Sequence, residues 1–238
     1  MLNSIIPDLK MLFSLPEVTL HLQAFQADDN DLFYRKVIDE FYAKTRRRHA
    51  RYLLLRDYRW GVALQPMDPQ PGTPSTLESS ALRNQKKAFR SGYRFEKIEY
   101  NNWLDDIQQI RRSTLIRQGP VASHLIEQPV QPVTDPPSRS CIHDYPFFGV
   151  FREGSLVAYA SCLVAGEVAL IEHILGHADH QDQGIMPLLI LGMKEYFRGH
   201  NPQVRWYGYE MWFGASESLR RFKKKMGFRP YKVNWVLN

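Results

Sequence analysis

Glu172 sits in the middle of an apolar run, Leu170-Ile171-Glu172-His173-Ile174. A carboxylate there is costly to bury unless it is paired or faces a cleft. At a cleft it can take the proton that an amine must lose before attacking a carbonyl, which is general-base chemistry. An ion pair with an arginine on a neighbouring strand is the alternative reading. Because side chains alternate along a strand, His173 is expected on the face opposite Glu172 and outside any shared site. Tyr207 and Tyr209 share one face of the next run, with Glu210 on the other. A phenol at a site can act as proton donor, and either tyrosine could take that role, with Tyr209 the one assigned to it; the plainer reading is a core aromatic with a hydrogen-bonded hydroxyl.

A polar loop, residues 176–183, joins the Glu172 run to an amphipathic helix that starts near Gly184. The first turn of a helix presents unpaired N–H groups and the positive end of a dipole, so a glycine at its entrance allows a phosphate to be held there. Gln181-Asp182-Gln183-Gly184-Ile185-Met186 occupies that junction. His177, Asp179 and His180 in the same loop match no closed ligand spacing, and no metal site is expected.

These residues need a scaffold that brings a strand, a loop and a helix to one place. The chain has 238 residues, 44% of them hydrophobic and 24% charged, a composition that supports a buried core in one large domain or two small ones. Its net charge of +6 favours anionic partners such as nucleotides, coenzymes, nucleic acid or lipid head groups. The longest aliphatic stretch, residues 185–193, is about half of the roughly 20 residues a membrane-crossing helix needs, so no span is expected. Pro7 and Asp8 interrupt the apolar N-terminus, and no secretory signal is read there. Cys141 and Cys162 are too few for a disulfide framework, which leaves a soluble protein of the reducing cytoplasm as the expectation.

Two proline-rich loops, residues 67–75 and 127–140, punctuate the chain. Before the first, residues 18–25 alternate, residues 29–44 read as a helix, and segments 52–55 and 61–64 suggest a hairpin. Residues 76–91 form a basic helix ended by Gly92. From Tyr93 the order becomes regular: strand 93–100, helix 102–117, and beyond the second loop the strands 147–152, 156–164 and 168–175 as a meander through Glu153-Gly154 and Ala165-Gly166. A helix over 184–198, a strand over 204–212, a helix over 216–226 and a strand over 231–237 complete it. Two basic clusters stand out, residues 44–51 (KTRRRHAR) and Arg83, Lys86, Lys87 and Arg90, each readable as a nucleic-acid surface or as solvated helix.

The element order from Tyr93 to Leu237 resembles the GNAT superfamily of acyl-coenzyme A N-acyltransferases. Gln181-x-x-Gly184-x-Met186 resembles its pyrophosphate loop, and Ser216 to Phe228 looks like its late helix with the following Gly-Phe. The resemblance implies an α/β (α+β) fold with a central mixed sheet flanked by helices over residues 92–238, and an N-terminal extension, residues 1–91, packing on that core. It further implies acetyl-CoA or another acyl-CoA as co-substrate, an amine, amino-sugar or peptide acceptor, Glu172 as the base, and a donor held by Ile174, Leu175, Gly176, the loop Gln181, Asp182, Gln183, Gly184, Ile185, Met186, and Ser216. Three positions depart from the family pattern: Met186 replaces a small residue, Ser216 an Asn, and Lys223 the Tyr that protonates the departing thiolate. Arg221-Phe222-Lys223 before Met226-Gly227-Phe228, with residues 87–93, is similar to FemAB-like members, which implies an alternative aminoacyl donor carried by tRNA. A degenerate GNAT fold that binds a ligand without turnover is the third reading.

Overall fold

The structure, a computed structural model, describes residues 11–26, 32–48, 56–68, 76–114, 127–133 and 142–238. Nine strands are numbered in chain order: β1 Glu17–His21, β2 Trp60–Pro66, β3 Arg94–Ile98, β4 His143–Asp144, β5 Phe147–Arg152, β6 Ser155–Ala165, β7 Val168–Gly176, β8 Trp206–Met211 and β9 Arg229–Val236. Among the described residues five α-helices accompany them: α1 Leu32–Arg46, α2 Ser79–Arg90, α3 Leu104–Arg112, α4 Ile185–His200 and α5 Glu217–Lys225. The segment 52–55, residues 69–75 of the first proline-rich loop and residues 134–140 of the second lie outside the described residues.

One mixed sheet runs β1-β9-β2-β8-β7-β6-β5-β3, with β4 paired to β6. Local sequence explains the meander. Glu153 and Gly154 both take positive φ, 52° and 86°, the mirror-image turn whose twist matches a tight hairpin. All but the first residue of the long strand β6 are buried, because helices cover both of its faces. On one face lie α2, α4 and α5, through Ala81, Ala88, Leu188, Leu189, Met193, Phe197 and Met226. On the other, Ile38 and Phe41 of α1 pack over Leu163 and Val233. On that same face Ile107 and Ile110 of α3 pack with Tyr159. Among the described residues no helix is long and apolar enough to cross a membrane.

The first 91 residues, expected to pack on the core as an extension, supply two strands of the sheet itself. β2 lies between β8 and β9 and pairs antiparallel with both, and β1 continues the edge parallel to β9. The hydrogen-bonding edges of β8 and β9 would be unpaired without β2, so residues 60–66 complete the sheet that carries the site.

Candidate active site

The parallel ladder between β7 and β8 stops at Ile171↔Tyr209, although β7 continues to Gly176 and β8 to Met211. The strands part there. At the same level the pairing of β7 with β6 slips: Ser161 faces His173 and Cys162 faces Ile171, so Glu172 is the extra residue of a bulge. A bulge bends its strand and re-aims a side chain. The alternation argument therefore fails at this point, and Glu172 and His173 both line one cavity of about 580 Å³.

The cavity lies on the α1 and α3 face. Glu40 and Lys44 of α1 and Arg111 of α3 flank it, Tyr159 and Ser161 of β6 and Ile174 and Leu175 of β7 form the floor, and Tyr100, Tyr145 and Glu210 are also in its lining. Tyr145 Oη donates to Glu172 Oε2 at 2.8 Å and lies 3.3 Å from Ser161 Oγ. Arg111 Nε donates to Tyr159 Oη at 3.2 Å. Glu172 has no ion-pair partner among the described residues, so the arginine-paired reading is not the arrangement seen.

Tyr209 is not part of this cavity. Its side chain is buried in the core on the α4 and α5 face, its ring edge meeting Phe228 at 5.7 Å between centroids, and burial pushes its ionisation well up. Alternation on β8 sends Glu210, not Tyr209, to the cavity. Glu210 adopts φ 48° and lies 3.9 Å from Lys223 Nζ, a fully buried ammonium that donates to the Met211 carbonyl at 2.9 Å and sits over the Tyr209 ring. Burial pulls the Lys223 ammonium down to about 8, against the smaller opposing pull of Glu210. The sequence showed Lys223 only as a missing tyrosine; its burial could not be read from a run of cations.

The loop residues 181–186 stand where the sequence placed them. Residues Ala178–Gln183 form a 3₁₀ turn, Gly184 takes the left-handed conformation with φ 82°, and α4 follows. The entrance to α4 is covered by α2: Lys87 Nζ donates to the Asp182 carbonyl at 2.9 Å, and a Cβ on Gly184 would run into the Asn84 carbonyl. Gly184 and Ile185 are buried, and Pro187 contributes no N–H to the first turn. Gly176 and Met186 are in contact, since a Cβ on Gly176 would lie 2.8 Å from the Met186 sulfur. Ser216 caps α5, its Oγ accepting from Leu219 N–H at 3.2 Å. Ile174 and Leu175 thus share the cavity with Glu172, while residues 181–186 and Ser216 lie outside its lining. Gly184→Ala should destabilise the protein by about 2 kcal/mol or more, from the left-handed backbone and the clash with α2; urea denaturation at neutral pH measures it.

No family model and no curated protein matches the sequence. Among solved structures, FemX matches with a TM-score of 0.53 and 11% identity over 74% of this chain and 60% of its own. L-PGS from Bacillus licheniformis matches with a TM-score of 0.47 and 14% identity over 72% of this chain and 58% of its own. A tandem GNAT protein from the clavulanic acid biosynthesis pathway gives 0.45 and 14%, over 72% of this chain and 50% of its own. The chain spans between 50% and 60% of the length of these three structures. The fold is the central mixed sheet flanked by helices that the element order implied, and FemX shares it.

Proposed function

We propose that this chain is an N-acyltransferase whose acceptor amine is deprotonated by Glu172 in the cleft where β7 and β8 part. The observation that supports it is the bulge, which turns a mid-strand carboxylate into a cavity as the neighbouring strand leaves. In this reading the amine N–H bond breaks, its proton passes to Glu172, and the freed electron pair forms the C–N bond with the acyl carbonyl. The bond from the acyl carbon to its carrier then breaks, and the carrier leaves with the electron pair and takes up a proton.

The carrier divides two readings. A coenzyme A thioester would run along Ile174, Leu175 and Gly176 to residues 181–186, and it requires α2 to move from the α4 entrance. The closure by α2 is the observation that favours the second, an aminoacyl ester carried by tRNA, because α2 also presents exposed Arg83, Lys86, Lys87 and Arg90.

Calorimetry with a panel of acyl-CoA thioesters and a charged tRNA tests both. Coenzyme binding should depend weakly on salt and tighten severalfold in Met186→Gly, which frees the approach beside Gly176. Binding of tRNA should collapse between low and moderate salt and be lost when Arg83, Lys86 and Lys87 are reversed in charge. Turnover of neither donor class with any amine would sink the acyltransferase reading and leave the degenerate binding protein.

A further inference from the structure

β4 is two residues long, yet it is held from several sides. His143 and Asp144 pair with Ala165 and Val164 of β6, the His143 ring nitrogen Nε2 meets the Leu22 carbonyl at 3.1 Å, and Asp144 Oδ1 accepts from the Tyr145 N–H at 2.8 Å. Such fixation for so short a strand sets the direction in which the chain leaves it. What leaves it is Tyr145, whose ring packs edge-on against Phe147 at 5.7 Å between centroids and whose hydroxyl ends on Glu172.

A phenol has one proton to give. It goes to Glu172 Oε2 at 2.8 Å, so at 3.3 Å the Ser161 hydroxyl must be the donor and the Tyr145 oxygen the acceptor. The result is a directed chain, Ser161 to Tyr145 to Glu172, arriving from β6 and β4 on a carboxylate of β7. One carboxylate oxygen is thereby occupied. Oε1 has no partner among the described residues, which leaves it to receive the acceptor's proton.

We propose that Tyr145 is a positioning residue for Glu172, fixing the carboxylate by its Oε2 so that Oε1 is presented to the acceptor amine. This rests on the reading of Glu172 as the base. Burial, with the charge of Glu172 behind it, keeps the Tyr145 proton in place far above the ordinary tyrosine range, so Tyr145 acts as a donor throughout and never competes as a base. The other charged or titratable side chains on the cavity wall besides the tyrosines, Glu40, Lys44, Arg111, His173 and Glu210, are not hydrogen-bonded to the Tyr145 hydroxyl, whose partners are Ser161 and Glu172.

Two measurements test it, one of them independent of turnover. In protein labelled at the tyrosine ring carbons, the Cζ resonance of Tyr145 at neutral pH should shift in Glu172→Gln, because its hydrogen bond to a charged carboxylate becomes one to a neutral amide; an unchanged resonance overturns the proposal. With the best donor and amine, Tyr145→Phe should lower kcat about tenfold at unchanged donor KM and unchanged melting temperature, the loss expected when a carboxylate keeps its charge but not its orientation. Wild-type kcat in this variant, or a loss of kcat that follows a loss of folded protein, overturns the positioning role. If the wild-type chain turns over no donor, the function reading fails while the Tyr145 resonance still decides the Tyr145 to Glu172 contact.

Discussion

Glu172→Gln should lower turnover by about 100-fold or more while leaving donor affinity nearly intact, the loss typical of a removed general base. Glutamine keeps the volume and accepts the Tyr145 hydrogen bond through its amide oxygen, so the bulge and the cavity wall are preserved. What disappears is the basic oxygen. Donor affinity should be spared because the exchange removes a charge at the acceptor side of the proposed chemistry while conserving the side-chain volume of the cavity wall. Initial rates with saturating donor, paired with calorimetry of donor binding, separate the two quantities. A variant with native turnover would remove Glu172 from the chemistry. One that loses stability in proportion to activity would return it to a structural role.

The bulge also marks where sequence reasoning reached its limit. From Tyr93 onward the strands and helices were legible because period-two and 3.6-residue patterns are local, and turns such as Glu153-Gly154 announce themselves by residue type. A bulge adds one residue to one strand without any residue type that requires it, so the alternation placed His173 opposite Glu172; on β8 the alternation holds, but nothing in the sequence says which of its two faces meets the cavity, and Tyr209 lies on the other one. The insertion of β2 between β8 and β9 pairs residue 64 with residues 208 and 229, a separation no local pattern encodes. Tyr145 escaped notice for a related reason, since two residues of strand at the edge of a proline-rich loop make no periodicity. Gly184 was found through its place before a helix; its close approach turned out to be toward Asn84 of α2.

Lys223→Met should remove from the stability profile a component that rises between pH 8 and pH 10 in the wild-type protein, worth up to about 3 kcal/mol. The Lys223 side chain is wholly buried and its ammonium is pulled from 10.5 to about 8 by burial. In the unfolded chain the same amine holds its proton to about 10.4. Below about 8 both states are protonated and the unfavourable burial of the charge is carried in full. Between the two values the unfolded chain binds more protons than the folded one, so stability must rise with pH across that interval. Lys194, also pulled down to about 8 by burial, contributes a rise of the same sign, but it is present in both proteins and cancels in the difference. Methionine fills the volume without a charge, while leaving the Met211 carbonyl and Glu210 without their partner. The charge-dependent part of that loss is contained in the lysine's own titration, and the lost packing and hydrogen bonding add an offset that does not depend on pH. Urea denaturation of both proteins at pH 7, 8.5 and 10 gives the two profiles. Parallel profiles would show that Lys223 keeps an ordinary ammonium in the folded protein and that its buried charge is fully compensated. Diverging profiles would establish that the fold keeps a costly cation at the end of β8, within reach of the one cavity-facing carboxylate, Glu210, that shares its strand end.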